Sequence, residues 1–262
     1  LSTHSVHIAF QPEAKVSALA LSMDGAVAVW AEGDGKLFIA QDSEGILAPS
    51  TSWQAPALIR QAILRGTQIF VLDDELGLTC LDLGGSVLWQ LEIGAGGFAL
   101  QPLPSQLAVL DGLGRLHLVG YDGTRVQLAE QYNDVLRCTE VGGHLVLAHE
   151  SGLVQALQNG VKVWSRPIRG DMGESITCLG SDANHNLVIG REGYALVAGD
   201  EEVLEIEIWD IKQQILVQRE DLKSRLLQAI PSEKGFFCGF DNGDVCEYVS
   251  NQSSYTFEPL LS

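Results

Sequence analysis

The sequence has few basic residues. Sixteen lysines and arginines stand against thirty-four aspartates and glutamates, which gives a formal net charge of −18. A surface with this excess of negative charge repels nucleic-acid phosphates and anionic lipid headgroups, and it favours a partner with a basic surface. We therefore expect another protein as the partner and no direct contact with nucleic acid.

Long apolar runs are also missing. None reaches the roughly 18 residues that would indicate a membrane-spanning helix, although 46% of the residues are hydrophobic. We expect a soluble chain with no membrane insertion. The five cysteines stand singly, with no C-x-x-C pair, at Cys80, Cys138, Cys178, Cys238 and Cys246. Single thiols in apolar strands behave as small hydrophobes and favour a reducing, cytoplasmic compartment.

Familiar catalytic motifs are absent from the sequence. It contains no G-x-S-x-G elbow, no H-E-x-x-H, no P-loop and no dinucleotide-binding fingerprint. His144 and His149 are five residues apart on an expected strand, so their side chains lie on opposite faces and do not share a metal ion. The sequence predicts no enzyme activity, no cofactor and no metal site.

What the sequence does contain is a repeat. Six similar apolar runs open at Val16, Leu58, Phe98, Leu136, Ile176 and Leu226, with successive spacings of 42, 40, 38, 40 and 50 residues. A period near 40 residues is typical of stacked supersecondary units.

Each repeat divides into short strands separated by turn signals. A first apolar run is followed by a turn and a second strand, as in MDG before AVAVW. A further turn ends in glycine and opens a third strand, and these glycines are Gly35, Gly77, Gly114, Gly152, Gly193 and Gly243. A fourth strand carries tryptophan in several repeats. Four strands in each repeat predict an all-β fold, a single closed β-propeller of about six blades.

The repeats set the expected blade limits. They lie near residues 15–54, 55–94, 95–133, 134–173, 174–223 and 224–262, within one domain spanning 1–262. We expect the N-terminal strand, residues 4–10, to complete the last blade and close the ring. The insert 201–223 is either a long hairpin or a strand followed by a helical turn, and the alternation in LEIEIW favours strand. If this segment belongs to another blade, the number of blades rises to seven. The segment SYTFEPL near the C-terminus has no assigned place.

Three fragments resemble known propeller repeats. LDLGGSVLWQLEIG (81–94) and LQNGVKVWSRPI (157–168) are similar to the PQQ-like repeat, and IEIWDIKQQILV (206–217) is similar to a WD-repeat signature. The quinone-dependent members of the PQQ-like group imply a larger eight-bladed ring, a calcium ion and a vicinal disulfide, and this sequence has no adjacent cysteines. The resemblance therefore implies the non-catalytic relatives, which mostly serve as scaffolds in multiprotein assemblies.

Acidic residues stand in every turn that follows a second strand. They are Glu32, Asp74, Asp111, Glu150, Glu192 and Asp241, joined by Asp34, Asp73, Glu75 and Asp244. In a propeller these turns emerge on one face, so we expect a negatively charged face that attracts a basic partner. Aspartate is also favoured in tight turns because it caps its own backbone. That local explanation stays open for each residue.

Aromatic and basic residues extend the expected partner-binding surface. Trp30 ends a second strand beside the acidic turn, so it is the tryptophan expected to be exposed. The tryptophans that recur in register are expected to pack between blades, and these are Trp53, Trp89, Trp164 and Trp209. Arg166, Arg169 and Arg219 lie near the connectors of the same face, where solvated loop charge explains them equally well.

These observations predict a non-catalytic protein-protein interaction scaffold, a subunit or domain of a larger complex that docks its partner on the acidic face. A neighbouring domain of the same full-length chain is an alternative partner. The alternative function is a metal-dependent hydrolase, a lactonase or a small-ligand-binding propeller that uses carboxylates in the central channel.

Overall fold

The computed structural model describes residues 12–43, 46–169, 173–194, 202–251 and 254–261. The regular structure in these ranges consists of β-strands arranged as six four-stranded antiparallel sheets, numbered here in chain order. The chain divides into two compact units, Leu1–Gln127 (unit 1) and Leu128–Ser262 (unit 2), and each unit holds three sheets. The predicted all-β class with six four-stranded sheets is confirmed.

Unit 1 contains sheets 1 to 3, in which each strand pairs with the next along the chain. Sheet 1 has β1 (Val16–Leu21), β2 (Val27–Glu32), β3 (Lys36–Ser43) and β4 (Ile46–Gln54). Sheet 2 has β5 (Ile59–Arg65), β6 (Gln68–Asp73), β7 (Gly77–Asp82) and β8 (Val87–Glu92). Sheet 3 has β9 (Gly97–Pro102), β10 (Gln106–Asp111), β11 (Leu116–Gly120) and β12 (Arg125–Val126).

Unit 2 contains sheets 4 to 6, with the same sequential strand order. Sheet 4 has β13 (Val135–Val141), β14 (His144–His149), β15 (Val154–Gln158) and β16 (Val161–Arg166). Sheet 5 has β17 (Glu174–Ser181), β18 (Leu187–Tyr194), β19 (Glu202–Asp210) and β20 (Ile215–Asp221). Sheet 6 has β21 (Leu226–Pro231), β22 (Gly235–Phe240), β23 (Val245–Asn251) and β24 (Ser254–Leu261).

The second strands are buried on both faces, whereas the fourth strands are largely exposed. β6, β10 and β14 are each buried at all but one of their residues. Their sequences are accordingly near-continuous apolar runs, as expected for strands covered on both faces. β8 alternates exposed and half-buried residues, and β16 has two buried residues among exposed ones. The apolar core of each unit therefore lies along the inner strands of its sheets.

Core clusters join neighbouring sheets within each unit. In unit 1 one cluster packs Leu37 and Ile39 of sheet 1 against Ile59 of sheet 2, and another packs sheet 2 against sheet 3. In unit 2 Trp164 of sheet 4 packs with Ile189 of sheet 5, and a further cluster joins sheets 5 and 6. A four-stranded sheet has two faces to cover, so each sheet gains stability from its neighbour.

The first strand of every sheet contains a register shift where it pairs with the second strand. In sheet 2, for example, the register shifts between Ile59 and Gln61, so Arg60 has no direct partner on β6. Such bulges bend a strand and increase its twist. Their recurrence marks the six sheets as copies of one structural unit.

Sheet 5 corrects the expected division of its repeat. Gly193 was expected to open the third strand, but β18 continues through Tyr194. The third and fourth strands are β19 and β20, so the segment treated as an insert, 201–223, supplies half of this sheet. The described residues form six sheets, and they contain no seventh blade. The residues 195–201, where the expected third strand mostly fell, lie outside the described ranges.

Sheet 6 takes its fourth strand from the end of the chain. β24 pairs with β23 from Asn251 opposite Ser254 to Val245 opposite Leu261. The segment that sequence analysis left unassigned thus occupies the place expected for residues 4–10, because a local hairpin supplies this strand. Residues 4–10 themselves lie outside the described ranges. Ring closure and a single domain over 1–262 stay predictions.

Candidate functional site

The turns after the second strands of unit 1 lie together at one end of its sheets. Backbone hydrogen bonds join each turn to a connector between sheets: Ala55 donates to Gly35 (3.0 Å), Asp74 to Leu58 (3.1 Å) and Gly112 to Gly96 (3.1 Å). We call residues 32–35, 55–58, 73–76, 93–96 and 111–115 the loop layer of unit 1. It brings acidic turns from three sheets next to one another.

Unit 2 has a corresponding loop layer, which consists of residues 128–134, 150–153, 167–169, 222–225 and 241–244. The N–H of Glu150 donates to Asp134 at 2.8 Å, and the N–H of Asp241 donates to Arg225 at 3.0 Å. Arg225 also pairs with Glu192, with 2.8 Å between Nε and Oε2. The contacts connect the turns of sheets 4 and 6 to the connectors beside them.

The carboxylates at the inner side of the unit 1 layer are buried and hold the turns. Asp73 is fully buried, and its Oδ1 accepts the N–H groups of Glu75 (2.9 Å) and Leu76 (2.7 Å). Glu32 is 3% exposed and accepts the N–H of Glu13 at 3.3 Å. Glu32 was predicted to contact a partner, but it has almost no surface to offer.

Asp111 belongs to the same buried group and was also predicted to bind a partner. It is fully buried, and its Oδ1 accepts the N–H of Leu113 at 2.9 Å. Its Oδ2 lies 2.6 Å from Nε of Arg115 and 3.0 Å from Nε2 of His117. Burial opposes ionisation of Asp111, but the hydrogen bonds from His117 and Arg115 outweigh it and lower the pKa of the carboxyl.

A second set of carboxylates in the loop layers is exposed. Its members are Asp34, Glu75, Glu150, Asp241 and Asp244. Asp34 and Asp241 also accept a backbone N–H each, from Lys36 and Arg225, both at 3.0 Å. We call these five residues the outer carboxylates.

Two of the predicted acidic residues are intermediate. Asp74 pairs with Arg60, and its side chain is 31% exposed. Glu192 lies within β18 rather than in a turn, because that strand is longer than expected, and its side chain is 13% exposed beside Arg225. Their charges are thus partly satisfied within the protein. A role of the predicted residues in partner binding stays a prediction.

Between sheets 4 and 5 lies a buried set of ion pairs. It consists of Arg166, Arg169, Glu174, Arg191, Glu205 and Glu207, which we call the arginine-glutamate network. Three arginines balance three glutamates, so the network carries no formal net charge. Cross-strand pairing positions part of it, because Arg191 on β18 is directly opposite Glu205 on β19.

Arg166 is the centre of this network. Its side chain is fully buried; Nη1 lies 2.6 Å from Glu174 and Nε lies 2.7 Å from Glu207. Burial alone would raise the pKa of Glu207, but the hydrogen bond and charge of Arg166 lower it to about 2. Arg166 was predicted to lie on the rim; instead its guanidinium is buried and forms ion pairs with two internal carboxylates, Glu174 and Glu207.

The other two predicted arginines lie at the edge of the network. Arg169 is 32% exposed, and its Nη1 lies 2.7 Å from Glu207. Arg219 on β20 is directly opposite Glu207, and its Nε lies 3.5 Å from Oε1 of that glutamate. The Arg219 side chain is 34% exposed. These two arginines retain some surface near the loop layer of unit 2.

No protein-family model matches the sequence, and no curated protein matches it. Solved structures match its fold. The WD40 domain of Neurospora crassa Pan2 is 12% identical, with 91% of this chain and 76% of that one covered and a TM-score of 0.66. The WD40 β-propeller domain of Doa1 is 11% identical, with 94% and 79% covered and a TM-score of 0.58.

The fold is that of a β-propeller. BamB from Moraxella catarrhalis is a further similar structure, 15% identical, with 90% of this chain and 83% of that one covered and a TM-score of 0.57. The β-propeller fold that the resemblance to WD-repeat and PQQ-like sequences implied is therefore confirmed. Each four-stranded sheet corresponds to one propeller blade.

Trp30 lies on the first blade of the propeller, in a row of apolar side chains. Its ring stacks on Phe38, directly opposite on β3, with 5.3 Å between ring centroids. Leu19 is directly opposite on the other side and is 63% exposed. Trp30 itself is half-buried, so it presents part of its ring rather than a free aromatic anchor.

Sequence analysis did not identify four members of the network: Glu174, Arg191, Glu205 and Glu207. A signal for the last two was present in the alternation LEIEIW, which places both glutamates on one face of a strand with buried isoleucines on the other. Burial of two acids on a central strand requires basic partners. Those partners are Arg166 on sheet 4, Arg169 in the connector from sheet 4 to sheet 5, and Arg191 on β18. They are distant in sequence from the two glutamates, so no local pattern could identify them.

Within the described ranges, no group of three His, Cys, Asp or Glu side chains is arranged to hold a metal ion. His144 is buried, and its Nδ1 lies 3.2 Å from the carbonyl oxygen of Val141. His149 uses Nδ1 toward the carbonyl of Asn133, at 3.0 Å. In the same ranges, no helix has the length and hydropathy needed to cross a membrane.

Proposed function

We propose that this propeller is a non-catalytic scaffold that docks a partner protein on its loop layers. The observation that carries the proposal is the separation of the loop-layer acids into two sets. The buried carboxylates Asp73 and Asp111 hold their own turns, whereas the outer carboxylates remain exposed.

Charge pairing in the loop layers favours a basic partner. Arg60 on β5 and Arg115 are both paired with acids of the unit 1 layer, Asp74 and Asp111. In unit 1 the outer carboxylates therefore face solvent beside arginines that are already paired. The loop layer of unit 2 also contains basic residues, namely Arg169, Lys223 and Arg225, so its charge is mixed. On a chain with a net charge of −18, such acids attract and orient a positively charged surface.

The experiment is affinity capture of the tagged protein from its native cells, at low and moderate salt, with mass spectrometry of the bound proteins. A five-fold variant neutralises the outer carboxylates: Asp34→Asn, Glu75→Gln, Glu150→Gln, Asp241→Asn and Asp244→Asn. The amide side chains keep the size and one of the two acceptor oxygens, which is enough for the single backbone N–H that Asp34 and Asp241 each accept.

A matched control neutralises five acids at the opposite ends of the sheets: Asp24→Asn, Asp82→Asn, Asp122→Asn, Glu140→Gln and Glu233→Gln. Both variants change the net charge equally. We expect basic proteins that bind the wild type to be lost with the outer-carboxylate variant and kept with the control. Equal capture by all three proteins would contradict the proposal.

The partner can be a separate subunit or a neighbouring domain of the same full-length chain, and the six blades form one closed ring. A cytoplasmic location, expected from the single cysteines in apolar strands, is part of the same proposal.

A further inference from the structure

Two of the five cysteines lie directly opposite each other in sheet 6. Cys238 on β22 and Cys246 on β23 are register partners. Each is 1% exposed, and both belong to the core cluster between sheets 5 and 6. The other cysteines have different partners: Cys80 is opposite Phe70 and Trp89, Cys138 is opposite Leu147, and Cys178 is opposite Gly190.

This placement meets the distance requirement of a disulfide. Directly opposed residues in an antiparallel pair have Cα atoms about 4.5 to 5.5 Å apart. A disulfide joins Cα atoms that are about 4.4 to 6.8 Å apart. Their side chains also share one face of the sheet, because opposed residues point to the same side. The bond can therefore form with little movement of either strand.

The two sulfurs already interact in the reduced state, in which both cysteines are free. The hydrogen bond between them raises the pKa of Cys238, and burial adds to this effect. The same hydrogen bond lowers the pKa of Cys246. Thiol-disulfide exchange needs a thiolate as the attacking group, so Cys246 is the first nucleophile of the pair.

We propose that Cys238 and Cys246 form a redox-active pair that closes to a disulfide by exchange with a low-molecular-weight disulfide such as oxidised glutathione. The Cys246 thiolate attacks one sulfur of glutathione disulfide, which forms a mixed disulfide and releases one glutathione thiolate. The Cys238 thiolate then attacks the Cys246 sulfur and releases the second. Two cysteine thiols are oxidised, one glutathione disulfide is reduced, and two protons are taken up by the leaving thiolates.

The bond would join the second and third strands of the last blade. These strands meet at a turn of four residues, 241–244, within the loop layer of unit 2. Because the sulfurs are buried, exchange in the native protein requires local opening of sheet 6, so we expect it to be slow and to accelerate in mild denaturant.

The test is a disulfide map of the purified full chain after equilibration with glutathione buffers of different redox poise. Free thiols are alkylated in denaturant, and the protein is cleaved at aspartate. Asp241 and Asp244 lie between the two cysteines, so cleavage before these residues separates Cys238 from Cys246. Trypsin has no cleavage site between the two cysteines, because the last basic residue of the sequence is Lys234. The expected product is a linked pair of peptides that appears in oxidising buffer and disappears with dithiothreitol.

Cys80 provides the internal control, because it is buried and has no opposed cysteine; it should be alkylated at every redox poise. Complete alkylation of Cys238 and Cys246 in the most oxidising buffer would overturn the proposal, as would a bond from either of them to Cys178. The disulfide map is made on the wild-type protein, so the test does not depend on whether a cysteine variant folds. Cys246→Ser should retain all of its remaining thiols in the same buffers.

Discussion

Arg166 has no exposed side-chain surface, and its two glutamate partners are fully buried as well. Taking such charges out of water is costly, and the geometry of the pairs must offset that cost. Each guanidinium edge of Arg166 faces one carboxylate, Glu174 or Glu207, so its donors are used on both sides. The network therefore makes the contact between sheets 4 and 5 specific.

Replacing Arg166 with methionine should destabilise the protein strongly. The change leaves two carboxylates buried without their main partner, which costs about 3–5 kcal/mol for a buried pair. Arg219→Met is the matched control, because Arg219 is 34% exposed and 3.5 Å from Glu207, and it should cost less than about 1 kcal/mol. Urea unfolding measures both. Equal losses for the two variants would contradict the role of Arg166.

Acid should weaken the same network. The pKa of Glu207 falls from its ordinary 4.5 to about 2 in the folded protein, so its charge stabilises the fold fully above pH 4.5. That contribution is lost as the pH falls toward 2. The difference in unfolding free energy between wild type and Glu207→Gln should therefore shrink between pH 5 and pH 2. A constant difference across this range would contradict the assignment.

At the scale of elements, the connectors between sheets determine how closely neighbouring blades approach. Gly96, in the connector from β8 to β9, has φ +70°, and a Cβ there would overlap the backbone carbonyl of Asp74. Gly66 has φ +59°, but a Cβ there meets nothing within 4 Å. Alanine at position 66 would therefore introduce backbone strain alone, whereas alanine at position 96 would add steric crowding.

Gly96→Ala should lower stability more than Gly66→Ala. Both substitutions place alanine in the left-handed region, at a cost of about 1–2 kcal/mol. Only Gly96→Ala must also displace the turn at Asp74 from the connector, so its loss should be at least about twice as large. Thermal and urea unfolding of the two variants give the comparison. A smaller loss for Gly96→Ala would show that the connector adjusts freely.

Sequence alone predicted the elements that depend on local chemistry. The turns at Gly35, Gly114 and Gly243 follow from a positive φ that glycine adopts without strain, and all three have it. Gly193 has a different role inside β18, where strand pairing overrides the turn signal. The burial of Arg166 was not predictable, because Glu207 lies 41 residues away and no short pattern joins them.

At the scale of the whole molecule, the excess of acid is the property most relevant to binding. A net charge of −18 gives a long-range field that speeds encounter with basic partners and weakens with salt. The field by itself selects no binding site. The site is selected by the local arrangement of charged side chains. The outer carboxylates lie in the loop layers, beside the sheet connectors, whereas the acids at the opposite ends of the sheets do not.

The most direct test of the scaffold proposal is the affinity of the purified propeller for its captured partner, measured by titration calorimetry at low and moderate salt. The outer-carboxylate variant should bind at least about tenfold more weakly than the wild type at low salt, with a smaller salt dependence. The opposite-end control should bind within about twofold of the wild type, since it carries the same net charge change outside the loop layers. Equal weakening in both variants would show that overall charge alone accounts for the loss of affinity. Unchanged affinity in both variants would show that the docking surface lies elsewhere.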